Sequence, residues 1–118
     1  MGNEAFTGLV DEILAQATSA ERNSGVVYVA TETIPAGTRL EFPKIKIDAK
    51  RDALIAFVDR DPMANWSHSC RYILLDVGTR ESQSFEAELP PFSSNKSLHW
   101  RVVYKAPSVP DALLAVAR

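Results

Sequence analysis

Two short runs of apolar residues constrain what this chain can fold into more than any other feature of its sequence. Residues 53–58 read ALIAFV and residues 72–77 read YILLDV, with polar residues on both sides of each run. Each run is shorter than a typical helix, so we predict two strands. Because their side chains are apolar on both faces, both faces need covering, which is typical of the central strands of a sheet.

Both ends of the chain carry patterns typical of helices. Near the N-terminus, apolar residues recur with the spacing of one helix face, and Asn3 is a candidate N-cap. Near the C-terminus, Ser108 followed by Asp111 predicts a helix start, with helix formers over residues 112–117. The N-terminal stripe consists of Phe6, Leu9, Val10, Ile13, Leu14 and Ala17.

Three segments between these helices predict further strands. Residues 26–31 are rich in β-branched side chains, while residues 85–89 and 98–104 alternate between apolar and polar. If the last two of these strands pair with each other, Arg101 and His99 come near Glu86 or Glu88.

A fourth segment contains two alternating stretches that differ in phase. Residues 40–42 and 45–47 each alternate, but the apolar positions are even in the first and odd in the second. We therefore expect a bulge or bend at Pro43 and Lys44, on an edge strand. Just before it, residues 34–37 predict a type I turn with Gly in the fourth position.

A run of strands between two terminal helices predicts an α+β fold. We expect a mainly antiparallel, curled sheet of about six strands, with the N-terminal helix and a short C-terminal helix packed on it. The simplest arrangement places both helices on one side of the sheet, and a β-sandwich with peripheral helices is the alternative. The chain has 118 residues, the length of one domain, so residues 1–118 are expected to form a single domain.

Charge and composition argue against several classes of protein. Thirteen basic and fifteen acidic residues give a net charge of −2, which argues against a nucleic-acid surface built on positive charge. A single cysteine forms no internal disulfide, and no apolar run approaches the ~18 residues of a membrane span. The N-terminal residues lack the basic segment of a signal peptide. We therefore expect a soluble cytoplasmic protein with no nucleic-acid or membrane partner.

The polar segment between the two apolar runs is the candidate functional region. Residues 59–71 read DRDPMANWSHSCR and contain the only cysteine of the chain, one of its two histidines and one of its two tryptophans. Binding and catalytic residues concentrate on loops that a rigid scaffold holds in place. We therefore expect the site of this protein in this loop.

One hypothesis makes this loop a contact surface. The sequence contains no complete catalytic motif and no glycine-rich phosphate loop, which favours a non-enzymatic binding or protein-interaction domain without a cofactor. Its partner would be a protein or a small ligand. The expected contact residues are Asp61, Asn65, Trp66, His68 and Arg71 of the loop, together with Phe92 of a second loop at residues 89–95.

The alternative hypothesis is a small thiol- or metal-dependent enzyme. Cys70 and His68 share one face of an extended chain, so the imidazole could activate the thiol. Asp59 or Asp61 could orient the imidazole, and these four residues also include ligand types for zinc. The chain has neither a CxxC nor an HxxxH pair, however, so we predict no metal site.

Overall fold

The computed structural model describes residues 2–65, 67–93 and 98–116. Over these ranges the chain forms helices and a mainly antiparallel sheet, which confirms the predicted α+β class. The elements in chain order are α1 Asn3–Ala15, α2 Ser19–Ser24, β1 Val26–Ala30, β2 Arg39–Phe42, β3 Ile45–Asp48, β4 Ala53–Asp59, β5 Cys70–Asp76, β6 Ser82–Ala87, β7 Trp100–Lys105 and a 3₁₀-helix Asp111–Leu113.

The two apolar runs form neighbouring strands inside a five-stranded antiparallel sheet. The strand order is β6-β5-β4-β1-β7, which places β4 in the centre and β5 beside it. Every residue of β4 is buried, and β5 is buried from Cys70 to Leu75. The prediction that these runs need cover on both faces is therefore confirmed.

Aromatic side chains cover one face of the sheet, which we call the aromatic face. Tyr28, Phe57 and Tyr72 lie opposite one another on β1, β4 and β5, so their side chains share this face. The ring of Phe42, from the β2–β3 pair, stacks on Tyr72 with ring centroids 4.5 Å apart. A two-stranded ribbon thus closes this side of the core.

The N-terminal helices cover the opposite face, which we call the helix face. Leu9, Val10 and Ile13 of α1 are buried. Arg71, which points away from the aromatic face, donates a hydrogen bond from Nη2 to the carbonyl of Gln16, 2.9 Å away. The end of α1 is thereby fixed to the middle of the sheet.

The expected bulge or bend at Pro43 and Lys44 is the turn of a β-hairpin. Phe42 pairs with Ile45, so exactly two residues connect β2 to β3, and Lys44 has a φ of 62°. A two-residue loop puts an even and an odd position opposite each other, which explains the change of phase. The chain therefore does bend at these two residues, but the prediction of a bulge within one edge strand was wrong, because the hairpin is a separate two-stranded sheet.

The turn before this hairpin lies one residue later than predicted. The backbone N–H of Thr38 donates to the carbonyl of Pro35 at 3.2 Å, and Gly37 has a φ of 88°. Gly37 is therefore the third residue of the turn, where type II geometry needs a positive φ. The predicted type I turn was wrong.

The pairing of the last two strands also differs from the expectation. β6 and β7 lie at opposite edges of the sheet, so Glu86 and Arg101 are not cross-strand neighbours. Sequence order favours hairpins between successive strands, but β7 crosses over to pair with β1.

Both ends of the chain depart in detail from the helix predictions. Asn3 is the first residue of α1 and the N-cap is Gly2, without a side-chain cap. At the C-terminus, Pro110 caps a single 3₁₀ turn in place of a helix beginning at Ser108. The N–H of Ala115 donates to the hydroxyl of Tyr28 at 3.1 Å, so this end contacts the aromatic face and not the helix face.

Candidate functional site

The candidate site lies where β4 ends and β5 begins. Asp59 and Cys70 are the last and first residues of these strands and lie directly opposite each other in the ladder. Their side chains therefore point to the same face, and both residues are buried. Residues 60–69 form the loop between them.

His68 fastens this loop to the end of β4. Its Nε2 lies 2.7 Å from Oδ1 of Asp59, and its Nδ1 lies 2.9 Å from the backbone oxygen of Asn65. Because each ring nitrogen faces an oxygen acceptor, the arrangement favours the imidazolium, which donates from both. Burial acts to lower the pKa of His68, but the hydrogen bonds to Asn65 and Asp59 outweigh it and raise the pKa above its ordinary value.

The start of the loop is fixed by the same carboxylate. Oδ1 of Asp59 also accepts a hydrogen bond from the backbone N–H of Asp61 at 3.1 Å. On the other side, Gly25 allows the end of α2 to lie close against β4. A β-carbon at this position would lie 2.7 Å from the backbone oxygens of Asp59 and Glu21. A glycine is needed for this close approach.

Cys70 is not placed as an activated thiol. Its Sγ faces the carbonyl oxygen of Leu89 at 3.8 Å, whereas the two nitrogens of His68 face Asn65 and Asp59. Burial, followed by the charge of Asp59, raises the pKa of the thiol to about 12. Since the thiolate is the nucleophile, this environment does not favour nucleophilic chemistry near neutral pH.

A buried ion-pair network supports the loop from the helix face. Glu21 of α2 is 2% exposed, and its two carboxylate oxygens accept hydrogen bonds from Arg71 at 2.8 and 2.9 Å. Burial acts to raise the pKa of Glu21, but hydrogen bonds from Arg71, the backbone N–H of Thr18 and Arg60 outweigh it and lower the pKa to about 2. Glu21 therefore remains ionised inside the fold.

Arg60 connects this network to the loop and to the sheet edge. Its Nε donates to Glu21 at 2.9 Å, its Nη1 donates to Ser69 at 2.6 Å, and its Nη2 donates to Glu86 of β6 at 2.9 Å. Hydrogen bonding to Glu86 raises the pKa of Arg60 above its ordinary value, so the guanidinium is permanently charged. Both ends of the loop are thus tied to fixed elements.

Sequence reasoning missed both Glu21 and Arg60. A signal for Glu21 was present, because Thr18 and Glu21 have the spacing of a capping box. The structure shows this box in full, with Thr18 Oγ1 accepting from the N–H of Glu21 and Glu21 accepting from the N–H of Thr18. No sequence pattern indicated that the same carboxylate would also bind two arginines from β4–β5.

The loop and the end of β6 line an open, polar surface concavity with a volume of ≈ 370 Å³. A second pocket, of ≈ 200 Å³, lies at the other end of these strands and includes Lys50, Arg51 and Gln83 in its lining. Only the first coincides with the loop singled out by the sequence. Its lining consists of Ser67, His68, Ser69, Glu86, Ala87 and Glu88.

The predicted contact residues do not all reach this surface. Asp61 and Asn65 are exposed and His68 is half-buried beside the concavity, whereas Arg71 is buried on the helix face. Phe92 is half-buried on the aromatic face, where its ring meets Tyr28 edge-on at a centroid distance of 4.8 Å. Trp66 lies outside the described residues, as does Asn95 of the second loop.

Further observations bear on cofactors and on membranes. In the described ranges, no three His, Cys, Asp or Glu residues gather in a way that would hold a metal ion. In the same ranges, no helix has both the length and the apolar character needed to cross a membrane. Comparison of the chain with protein-family models, curated proteins and solved structures finds no match.

Proposed function

We propose that this protein is a small, soluble, cytoplasmic binding domain that contacts a protein partner through the β4–β5 loop. The contact surface consists of the exposed residues of loop 60–69 and the adjoining end of β6. The observation that supports this most directly is the pair of hydrogen bonds from His68 to Asp59 and Asn65, which ties the polar loop to the end of β4.

A loop that is already ordered binds at lower entropic cost than a loop that must be ordered on binding. The contacts of His68, together with those of Arg60 to Ser69 and Glu86, supply this order. The thiol of Cys70, by contrast, is buried and faces a backbone carbonyl. The geometry therefore supports binding better than it supports thiol catalysis.

The charge of the surface indicates the chemistry of the partner. Glu86 and Glu88 are exposed acids in the lining of the concavity, and Ser67 and Ser69 add hydroxyl groups. Arg60 offsets the charge of Glu86, so Glu88 contributes most of the negative charge of this surface. A peptide segment with Lys or Arg side chains complements such a surface, while a phosphate backbone would meet like charge. We therefore propose a basic protein segment as the partner, and no nucleic acid.

Charge reversal at the rim of the concavity tests this proposal. Peptides are selected from a displayed random library against the immobilised protein, and their affinities are measured by calorimetry. We expect enrichment of basic residues and a loss of affinity of about tenfold or more in Glu88→Lys. Glu12→Lys, the same change on the exposed side of α1, is the control and should leave affinity unchanged. Equal affinity for both variants would contradict the proposed surface.

The thiol-enzyme alternative has its own test. The rate of Cys70 alkylation in the native protein, measured against pH, should stay low through neutral pH because the thiol is buried and its pKa is about 12. Rapid native alkylation near pH 7 would instead support an activated thiol and count against the binding-domain proposal.

A further inference from the structure

The two edges of the main sheet differ in how they would accept another strand. The pairing of β7 with β1 shifts register between Val27 and Tyr28, which marks a bulge. β6 instead follows β5 without a shift, from Cys70 opposite Ala87 to Leu75 opposite Ser82. Bulges, lysines and prolines commonly protect sheet edges, and β6 has none of these.

The register of β6 on β5 determines which of its backbone N–H and C=O groups do not bond to β5. The N–H of Asp76 donates to the carbonyl of Glu81 at 2.8 Å, and bonded pairs recur at every second residue of an antiparallel ladder. Gln83, Phe85 and Ala87 therefore bond to β5. The backbone groups of the alternate residues, Ser82, Ser84 and Glu86, point away from the sheet, and all three residues are exposed.

We propose that two copies of this chain pair through β6, antiparallel and centred on Ser84. In this register Ser84 lies opposite Ser84 of the second copy, and Ser82 lies opposite Glu86. Each outward backbone group within the strand then has a partner, and the two sheets become one. The arrangement is isologous and closes on itself, whereas pairing β6 with a β7 edge would be head-to-tail and open-ended.

The side chains of β6 are compatible with this self-pairing. No two like charges lie directly opposite each other, since Glu86 is the only charged residue of the strand. Arg80 is exposed and its Nη1 lies 3.8 Å from the β-carbon position of Gly8 in α1, so its guanidinium is on the helix face. Arg80 itself lies in the turn before β6, with a φ of 66°, and is not part of the paired strand. In the proposed register each Glu86 carboxylate instead faces the Ser82 hydroxyl of the other copy, and this self-complementary arrangement favours a second copy as the occupant of this edge.

The self-pairing surface and the partner surface are proposed independently of each other, and both include Glu86 at the end of β6. The β6 edge is tested on the purified chain with no peptide present. A failure of self-pairing can therefore be told apart from a failure of peptide binding.

A proline at the centre of β6 tests the dimer directly. Ser84→Pro removes an N–H that points away from β5, so the ladder of the monomer keeps its bonds, as prolines on edge strands do. Ser84→Ala is the matched control, because it keeps this N–H and loses only the hydroxyl that accepts from Arg71 at 3.2 Å. In sedimentation over a wide range of protein concentration, wild type and Ser84→Ala should dimerise, and Ser84→Pro should remain monomeric with the same circular dichroism. A monomeric wild type, or a dimer that survives Ser84→Pro, would overturn the proposal.

Cross-linking provides a second readout that does not depend on the proline variant folding. In Ser84→Cys the introduced thiols meet across the two-fold axis, while Cys70 is buried. A short bis-maleimide should link Ser84→Cys into dimers and should leave Ser19→Cys, at an exposed position of α2, as monomer. Equal cross-linking of the two variants would refute pairing through β6.

Discussion

Glu21 is the residue on which the helix face of this molecule depends most. It is 2% exposed, it completes the capping box of α2, and it binds arginines from both sides of the β4–β5 loop. One side chain therefore joins a helix start, a strand and the candidate site. A carboxylate is required because Arg71 is itself buried and always charged.

Replacing Glu21 by Gln should destabilise the fold strongly. Loss of one partner of a buried ion pair leaves the other charge uncompensated, so we expect the free energy of unfolding to fall by about 3–5 kcal/mol in urea denaturation. Glu12→Gln, at an exposed position of α1, should change it by less than about 0.5 kcal/mol.

The same residue predicts an acid dependence. The pKa of Glu21 in the fold is about 2 against an ordinary value of 4.5, so its contribution is complete above pH 4.5 and is lost as pH falls towards 2. The difference in stability between wild type and Glu21→Gln should shrink over this window. A difference that is constant with pH, or small throughout, would contradict the network.

His68 should titrate above its ordinary range. Its hydrogen bonds to Asn65 and Asp59 favour the imidazolium, so NMR titration should give a pKa above 6.5 in wild type and a lower value in Asp59→Asn. Since the folded pKa is raised, the stability that His68 contributes is complete below the unfolded pKa of about 6.5 and is lost as pH rises through the folded value. A measured pKa at or below 6.5 would show that the loop is not held in this way.

At the scale of the elements, the close contact between α2 and β4 positions the site. Gly25 ends α2 with a φ of −106°, so its role is the space it leaves and not an unusual backbone conformation. Asp59, the last residue of β4 before the loop, lies directly against it, with its backbone oxygen close to the Gly25 backbone.

Gly25→Ala should therefore destabilise the protein. An added β-carbon would lie 2.7 Å from two backbone oxygens, and overpacking of this kind costs about 1–3 kcal/mol. Gly8→Ala is the matched control, because its β-carbon would make only an ordinary contact, 3.8 Å from Arg80, inside a helix. That change should stabilise the fold by about 0.5–1 kcal/mol in the same thermal or urea experiment. Equal effects of the two substitutions would contradict the close approach.

The elements predicted well are those in which burial imposes a periodic pattern of apolar side chains on the sequence. The strands β4 and β5 and the stripe of α1 were predicted because apolar side chains with a clear period need cover. The β2–β3 hairpin was misread because a two-residue turn and a bulge both change the phase of alternation. The C-terminal helix was overestimated: only Asp111–Leu113 form a 3₁₀ turn, and Val109 and Leu114 contact the core without a longer helix.

The candidate site was predictable in part for the same physical reason. A polar loop between two buried strands has fixed ends, so residues 59–71 could be singled out without a structure. Which side chains face that loop depends on strand parity and on contacts between distant residues. Arg71 and His68 are three positions apart in sequence, yet one lies on the helix face and the other beside the aromatic face. The link from Arg60 to Glu21 and Glu86 needed the tertiary structure.

At the scale of the whole molecule, the elements that close the core differ from the loop that carries the candidate binding residues. Helices α1 and α2 close one face and the β2–β3 hairpin closes the other. Of the β4–β5 loop, none of the residues that the structure describes belongs to the hydrophobic core. The loop can then carry polar residues that contribute to binding. The two pockets lie at opposite ends of β5 and β6, so binding at one can be distinguished from binding at the other.

The most direct measurement of the central claim is amide chemical-shift mapping with the selected peptides. We predict that the perturbed amides cluster at Ser67–Ser69 and Glu86–Glu88, around the concavity beside His68. Perturbations that cluster instead at Lys50, Arg51 and Gln83, around the pocket at the other end, would contradict the assignment of the β4–β5 loop as the contact surface.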